Sequence, residues 1–276
     1  MHAAQTFPHV AALKPWFHSG QHTLQIFDTE EVARTVAARL VSELADVLRQ
    51  KPYAVLTPSV GRTMVGIFDV LRDQHRNSID WQRVICVQMD EYAHMPSSDP
   101  DSFALTLRRD LVEPLGIGRF IHFYDDEGAA IVSPKQYEED LYKLGGIDCA
   151  LHGVGRNSHI GFNEPRQRTR LTGGIVRLSQ ATRIANGVPY RHGVSLGLGV
   201  LRAAQSSILV LLGEHKRDAS YQLLFGSSGP HVPVTQLRHC PRVSICLDHA
   251  AVPDSLSNHD FRATPRLRME MPAAIA

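Results

Sequence analysis

The stretch that decides the fold is Ile147-Asp-Cys-Ala-Leu-His-Gly-Val-Gly-Arg-Asn-Ser-His-Ile-Gly-Phe-Asn-Glu-Pro165. Residues 147–151 form a short apolar run that is typical of a buried strand. The glycines at 153, 155 and 161 permit close backbone approach, and polar side chains follow them. A buried strand that leads directly into such a loop indicates the carboxyl edge of a parallel sheet, where α/β proteins place their sites.

Similar apolar runs recur on both sides of this stretch, and segments of helical periodicity separate them. We predict further strands at 53–57, 84–87, 120–124, 208–212 and 243–247, and helices from Asp28 onward and at 63–74, 101–114, 134–144 and 214–225. Asp28 is expected to cap the first helix, with Glu31 three residues on. This alternation predicts an α/β, three-layer Rossmann-like fold, with a mostly parallel sheet and helices on both faces.

The whole chain, residues 1–276, is predicted to be a single domain. We expect an irregular N-terminal arm at 1–27, a C-terminal tail at 254–276 and an irregular insertion near the site at 165–200. The 276 residues are enough for one well-filled core.

Composition excludes several classes of function. The formal net charge of +1 gives no overall field that favours nucleic acid or an anionic membrane. No run approaches the ~18 apolar residues of a membrane span, and no signal peptide is recognisable at the start. The four cysteines are scattered and are expected to be small buried hydrophobes. These features predict a cytoplasmic protein without nucleic-acid or membrane partners.

The segment Pro58-Ser59-Val60-Gly61-Arg62-Thr63 lies between a predicted strand and a predicted helix. Backbone amides at such a junction converge on an anion, and the hydroxyl and guanidinium side chains add donors. Lys216, in the first turn of another helix after a strand, can reach a phosphate as a point charge. Each feature taken alone is also compatible with an ordinary turn or a surface lysine.

Two other segments carry groups for acid–base chemistry. Asp90 and Glu91 follow a strand, and neighbours on an extended backbone point to opposite sides, so one carboxylate can face the cleft while the other serves the framework. In the glycine-rich loop, His159, Asn163 and Glu164 gather an imidazole, an amide and a carboxylate. A metal site at His152 and His159 is the weaker alternative, because no third ligand follows at a usual spacing.

Together these segments resemble the glucosamine-6-phosphate deaminase family, which shares a fold with 6-phosphogluconolactonases. The resemblance runs over residues 30–248. Its specific pieces are Met89-Asp-Glu-Tyr92 and Gly153-Val-Gly155 followed by His159-Ile-Gly-Phe-Asn-Glu-Pro165, with support from Gln136-Tyr-Glu138, Thr182-Arg-Ile-Ala-Asn186, Gly213 to Lys216 and Val234-Thr-Gln-Leu-Arg-His239. Tyr92 and the Phe-Asn-Glu-Pro run favour the deaminases, since lactonases usually have Asp-Glu-Arg and Ser-Leu-Phe-Pro there.

The resemblance implies an aldose–ketose isomerisation coupled to loss of ammonia, with a small sugar phosphate as substrate and with no metal or organic cofactor. Asp90 would move a proton between C2 and C1 of the open-chain sugar, His159 would assist ring opening, and Glu164 would support His159. The substrate phosphate would be held by Ser59, Val60, Gly61, Arg62, Thr63 and Lys216. Whether the protein is a homo-oligomer stays open.

The sequence departs from the family pattern in three places. Asn157 replaces the aspartate that partners the histidine, so it can orient His159 but cannot stabilise its charged form; we still count Asn157 among the catalytic groups. Val60 stands where the phosphate loop has glycine. The chain is also shorter after Pro165 and after Gly187, which removes part of an effector region and the usual position of a phosphate-binding arginine. Arg183 and Arg191 are the candidates to replace that arginine, and no activation by an N-acetylated sugar phosphate through that region is expected.

Other functions compete with a glucosamine 6-phosphate deaminase. They are a deaminase or isomerase of a different hexosamine or of an unphosphorylated amino sugar, a 6-phosphogluconolactonase-like hydrolase, and a non-catalytic sugar-phosphate sensor. Dinucleotide binding is disfavoured, because Gly197-Leu-Gly199 lacks the third glycine of that motif.

Overall fold

The structure, a computed structural model, describes residues 21–166, 169–256 and the backbone of 267–270. Its strands are β1 (Gln21–Phe27), β2 (Ala54–Pro58), β3 (Val84–Val87), β4 (Asp90–Tyr92), β5 (Arg119–Ile121), β6 (Cys149–Gly153), β7 (Gly174–Arg177), β8 (His192–Ser195), β9 (Ser206–Leu211), β10 (Arg242–Asp248) and β11 (Leu267–Glu270). Its α-helices are α1 (Thr29–Gln50), α2 (Arg62–Gln74), α3 (Phe103–Leu107), α4 (Glu113–Leu115), α5 (Pro134–Lys143), α6 (Gln180–Asn186), α7 (Leu198–Arg202) and α8 (Arg217–Phe225).

Eight of the strands form one parallel sheet in the order β11-β1-β10-β9-β6-β2-β3-β5. A second, antiparallel sheet has the order β4-β8-β7. A π-helical turn, Arg108–Val112, joins α3 to α4, and short 3-10 helices occur at Trp81–Arg83, Glu214–Lys216, Pro233–His239, His249–Ala251 and Asp254–Leu256.

The parallel sheet separates two apolar cores, because neighbouring residues of each strand point to opposite faces. In β9, Leu209 and Leu211 belong to the core under α5, α7 and α8, whereas Ile208 and Val210 belong to the core under α1 and α2. This arrangement confirms the predicted three-layer α/β fold. It also explains why the strand sequences are apolar throughout, since both faces of each strand are covered.

The glycine-rich loop of residues 153–165 follows β6, at the point where the strand order reverses. From β2 the chain adds β3 and then β5 on one side, and β6 then returns to the other side of β2 and is followed there by β9. Diverging connections leave a crevice at the carboxyl ends of β2 and β6.

Most predicted elements are found within a few residues, and β3 has the predicted bounds. Asp28 is the N-cap residue of α1, but its side chain makes no capping hydrogen bond, so the expected side-chain cap was wrong. The backbone carbonyl oxygen of Asp28 accepts a hydrogen bond from Glu31 N at 2.8 Å. Within the arm expected to be irregular, residues 21–27 form β1, and residues 1–20 lie outside the described residues. Residues 254–256 of the expected tail form a 3-10 turn and 267–270 form β11, while the rest of the tail lies outside the described part.

The segment 165–200 was expected to be irregular, and this expectation was wrong because most of the segment forms strands and helices. Residues 174–202 contain β7, α6, β8 and α7. Glu138 of α5 holds the two ends of the β7–β8 unit together, since its Oε1 accepts from Gly173 N and Gly197 N, both at 2.8 Å. The supporting motif Gln136-Tyr-Glu138 therefore has a structural task at the base of the insertion.

Two further expectations concern the whole chain. All four cysteines fall within the described residues, where each is buried and none is in a disulfide. Among the helices that the structure describes, none has the length and apolar character that crossing a membrane requires.

Candidate active site

The segments after β2 and β6 meet at the crevice. Ser59 N donates to Leu151 O at 2.8 Å, which extends the pairing of the two strands. The Ser59 hydroxyl accepts from Gly153 N, also at 2.8 Å, and so fixes the start of the glycine-rich loop. The two segments singled out in the sequence are thus joined through one buried serine.

A basic cradle lies at this junction. Gly61, with φ 143°, is the N-cap residue of α2 and leaves the first-turn amides without a capping side chain. Lys216 Nζ donates to the Val154 carbonyl. Burial, and then the charges of Arg156 and Arg62, lower the pKa of Lys216 to about 8. Crowded cations of this kind are stabilised by a bound anion.

The sequence analysis did not single out Arg156, which the structure places close enough to the cradle for its charge to act there. Arg156 follows Gly155 in the glycine-rich loop, and its charge lowers the pKa of both Lys216 and His215. An arginine directly before Asn157 was a visible signal, but only the fold shows that this loop faces Lys216. Val60, the residue that replaces a glycine, is not among the non-glycine residues with positive φ, so its Cβ causes no backbone strain.

Asp90 and Glu91 are both buried, but their hydrogen-bond partners differ. Glu91 accepts hydrogen bonds from Gln88 Nε2, Ser102 Oγ and the amides of Tyr92 and Ala104, at 2.8–3.0 Å. It therefore serves the framework, and these donors oppose the rise in pKa that its burial causes.

The Asp90 carboxyl is buried, and among the described residues no donor contacts it. Burial, and then the charge of Glu91, raise its pKa to about 8. A carboxyl left without donors in a buried position is a stronger base when ionised, and its pKa lies close to the range in which a proton carrier works best.

His159, Asn157 and Glu164 form a continuous chain of contacts. Asn157 Oδ1 lies 2.6 Å from His159 Nδ1, and Asn157 Nδ2 donates to Glu164 Oε2 at 2.9 Å. Glu164 Oε2 is itself 4.0 Å from His159 Nδ1. Glu164 Oε1 accepts from Ser179 N at 3.1 Å, so the second oxygen is also held.

These contacts determine the tautomer of His159. A carboxylate only accepts hydrogen bonds, so the NH₂ of Asn157 must face Glu164 and its oxygen must face the imidazole. Nδ1 of His159 then carries the proton, and Nε2 presents a lone pair. The negative charge that stabilises a protonated His159 comes from Glu164 rather than from residue 157.

Opposing effects set the pKa values of this pair. Burial lowers the pKa of His159, while Glu164 raises it and Lys216 lowers it further. Burial would raise the pKa of Glu164, but hydrogen bonds from Thr182, Ser179 and Asn157 and the charge of His159 together bring it below its usual value. Glu164 is therefore an anion, and His159 is neutral at neutral pH.

Gly155 makes room for the imidazole. A Cβ on Gly155 would lie 2.2–2.5 Å from three atoms of the His159 ring. Ser158, between these two, has φ 67°. The backbone closes this turn through Gly155 N to His159 O at 3.0 Å and Ser158 N to Gly155 O at 2.9 Å.

Ser195 links β4, which carries Asp90, to the loop that carries His159 and Glu164, and no sequence pattern indicated this link. It pairs with Asp90 across β4 and β8. Its hydroxyl accepts from Phe162 N at 3.2 Å and from Asn163 Nδ2 at 3.3 Å, both in the loop that carries His159 and Glu164. Asn163, a candidate from the sequence, thus positions the loop.

Two other sequence candidates lie apart from the cradle. Arg183 and Arg191 line a separate cavity that shares Glu164 with the active site but none of the cradle residues. His152 is fully buried, and burial lowers its pKa to about 3. Within the described residues, no group of three or more metal-ligating side chains is present.

A parallel α/β sheet with an acid–base site and a basic cradle at its switch point is typical of enzymes that act on small phosphorylated substrates. The chain belongs to the family of glucosamine-6-phosphate isomerases and 6-phosphogluconolactonases, whose model matches residues 27–245. It is 31% identical over 231 residues to a glucosamine-6-phosphate deaminase of Streptomyces avermitilis, covering 79% of this chain and 88% of that one. It is 32% identical over 225 residues to the Streptomyces coelicolor protein of the same name, covering 77% and 86%.

Solved structures of a deaminase and a lactonase have the same fold as this chain. A monomeric glucosamine-6-phosphate deaminase superposes with a TM-score of 0.73 at 26% identity, covering 83% of this chain and 98% of that one. The 6-phosphogluconolactonase of Trypanosoma brucei superposes with a TM-score of 0.70 at 18% identity, over 84% of this chain and 98% of that one. At that identity, the lactonase shows the shared fold alone.

Proposed function

We propose that the chain converts glucosamine 6-phosphate and water to fructose 6-phosphate and ammonia, through isomerisation of the open-chain sugar. The observation that carries this proposal is the Asp90 carboxyl, buried without donors and joined through Ser195 to the loop that holds His159 and Glu164. The relatives named glucosamine-6-phosphate deaminase support the substrate.

Ring opening is assigned to His159. Its Nε2, left with a lone pair by the Asn157 contact, accepts the proton of the sugar O1 hydroxyl. The C1–O5 bond breaks as the C1 carbonyl forms, and the same proton is delivered to O5. Glu164 stabilises the transient imidazolium across 4.0 Å, which replaces the charge that an aspartate at 157 would supply.

Proton transfer at carbon is assigned to Asp90. The ionised carboxyl takes the proton from C2, and the electron pair left on C2 forms the C1=C2 double bond. The C1 oxygen takes a proton from the ammonium group on C2, so the intermediate is an enolamine with a hydroxyl on C1. The protonated Asp90 then returns a proton to C1, which leaves an iminium at C2. Water adds to C2, ammonia leaves, and the ketone of fructose 6-phosphate remains.

The cradle of Ser59, Gly61, Arg62, Thr63 and Lys216 is assigned to the substrate phosphate, with Val60 in the same turn and Arg156 as an added cation. Binding energy from this remote group holds C2 at Asp90. A sugar without the phosphate would leave these cations uncompensated, so the unphosphorylated alternative is disfavoured. The lactonase alternative has the shared fold as its support.

The test is incubation of the purified protein with glucosamine 6-phosphate in deuterated water. Ammonia and ketose phosphate are quantified separately, and deuterium at C1 is followed by NMR. We expect equal amounts of both products, and loss of both in Asp90→Asn. Asp73→Asn, exposed on α2, is the matched control. A wild-type protein that yields neither product nor carbon-bound deuterium would refute the proposal, whereas ketose without ammonia from another sugar phosphate would identify an isomerase.

A further inference from the structure

Asp248 is the last residue of β10, and its buried carboxyl has no part in the chemistry proposed above. In the parallel sheet β10 lies between β9 and β1 and is paired with both. Because parallel strands end at the same edge of a sheet, the segments that follow β9 and β1 lie on either side of Asp248. One of these segments is the turn of residues 213–216, which carries Lys216.

The side chain of Asp248 fixes this turn to its neighbours. Gly213 N donates to both carboxyl oxygens, at 2.9 Å to Oδ1 and at 3.0 Å to Oδ2. Thr29 Oγ1, at the start of α1, donates to Oδ2 at 3.1 Å, and Ala251 N donates to Oδ1 at 2.8 Å. Burial of a carboxyl is costly unless such donors surround it, and bonds to an ionised acceptor are the stronger ones. The carboxyl therefore holds together the segments that follow β1, β9 and β10.

The contact with Gly213 extends to the lysine of the cradle. Gly213 has φ 86°, which favours glycine, and an added Cβ would lie 3.0 Å from two atoms of the His215 ring. Its carbonyl oxygen accepts from Lys216 N at 2.9 Å. Lys216 Nζ donates in turn to the carbonyl of Val154 in the glycine-rich loop. A continuous series of contacts thus connects Asp248 with Lys216.

We propose that Asp248 is a positioning residue for phosphate binding, which acts on Lys216 through Gly213 and does not itself contact the substrate. The inference rests on the proposed assignment of Lys216 to the substrate phosphate. An asparagine at position 248 keeps one acceptor oxygen and replaces the other by an NH₂ group, which only donates. Gly213 N then loses one of its two acceptors, and the turn no longer holds Lys216 in place.

The experiment is isothermal titration calorimetry of the full chain with millimolar glucitol 6-phosphate, an open-chain sugar phosphate that has no carbonyl group to react. We expect Asp248→Asn to weaken binding at least about tenfold, which is the effect of losing a hydrogen bond to a charged group. Lys216→Met also weakens binding, and adding Asp248→Asn to it causes no further loss, because both changes remove the same interaction. The matched control is Asp73→Asn, at an exposed position of α2, which keeps the wild-type affinity.

A second variant covers the case in which Asp248→Asn does not fold. Gly213→Ala disturbs the same turn from the other partner, because alanine rarely adopts φ 86° and its Cβ meets the His215 ring. We expect it to weaken binding of glucitol 6-phosphate to a similar extent in the otherwise wild-type chain, and to have no further effect beside Lys216→Met.

Three results would overturn the proposal. One is wild-type affinity in Asp248→Asn, or in Gly213→Ala where the first variant does not fold. Another is a loss that recurs in the Lys216→Met protein, since Asp248 would then act by a different route. The third is a wild-type chain that does not bind glucitol 6-phosphate. The ligand is not turned over, so a chain that shows the expected pattern but releases no ammonia from glucosamine 6-phosphate contradicts the proposed function alone.

Discussion

Replacement of Asn157 by aspartate tests how charge is distributed around His159. The substitution keeps the oxygen that faces Nδ1 but adds a negative charge 2.6 Å from it. It also replaces an NH₂ donor by a carboxylate oxygen 2.9 Å from Glu164 Oε2. One new contact is therefore attractive when His159 is protonated, and the other is repulsive as long as both carboxylates are ionised.

The two effects have similar size. At an effective dielectric constant of about 20, two unit charges at these separations interact with about 6 kcal/mol before solvation losses. Repulsion from Glu164 thus nearly cancels the attraction unless a proton binds. An ion pair with a carboxylate shifts a pKa by about 1–3 units, so we expect Asn157→Asp to raise the pKa of His159 by about 2 units and to raise that of Glu164 as well.

Stability follows with a definite sign. Because the substitution raises the folded-state pKa of His159 above its wild-type folded value, the protonation of His159 stabilises the variant relative to wild type at low pH. This gain is lost as the pH rises through the variant's own folded pKa. The assays are NMR titration of the His159 ring protons and urea unfolding at pH 6 and pH 9. Asn157→Ala is the control that removes both contacts without adding charge.

An unchanged or lowered pKa of His159 in Asn157→Asp would refute this account of the site. It would mean that a charge at residue 157 does not act on the His159 imidazole at the contact with Nδ1. A raised pKa together with higher deaminase activity would show that the wild-type asparagine limits ring opening.

Three further predictions concern the other parts of the site. Burial raises the pKa of Asp90 to about 8, so the wild-type fold loses stability as the pH rises from the unfolded pKa to the folded one. Asp90→Asn should therefore be more stable than wild type by about 4 kcal/mol at pH 7, at about 1.4 kcal/mol per pH unit above the unfolded pKa of about 3.9, and by little at pH 4, measured by urea unfolding. Equal stability of the two proteins at pH 7 would contradict this. The pH profile of kcat/KM should be bell-shaped with its maximum near pH 8, because Asp90 must be ionised and Lys216, whose pKa is lowered to about 8, must be charged. Lys216→Arg should abolish the fall in kcat/KM on the alkaline side, because arginine stays charged. An alkaline fall that persists in this variant would assign it to another group. Gly155→Ala should displace the His159 ring, reduce kcat at least about 100-fold and cost about 1–3 kcal/mol of stability. The control is Gly229→Ala, where nothing lies within 4 Å of the added Cβ, and it should change neither kcat nor stability. Full activity of Gly155→Ala would show that the position of the His159 ring is not critical.

The regular layers of the fold were predictable because their signals are local. Strands such as β3 are short apolar runs, and α2 and α5 show helical periodicity, so composition and spacing reveal them directly. The insertion was missed because β7 and β8 have only four residues each, and Ile175 and Arg177 of β7 are exposed. Their stability depends on pairing with β4 and on Glu138, which are contacts between residues far apart in sequence.

For the site itself, the sequence alone determined which chemical groups are present and in which short segments. It also predicted that Asp90 and Glu91 would have different surroundings, because adjacent residues of an extended strand face opposite sides. Tertiary structure decided which segments meet: Ser195 beside Asp90 and the catalytic loop, Arg156 beside Lys216, and Arg177 beside Arg191. Such pairings depend on strand order and on the path of the connections, and no local pattern of residues specifies them. The tautomer of His159 belongs to the same class, because it follows from a carboxylate that the fold places behind Asn157.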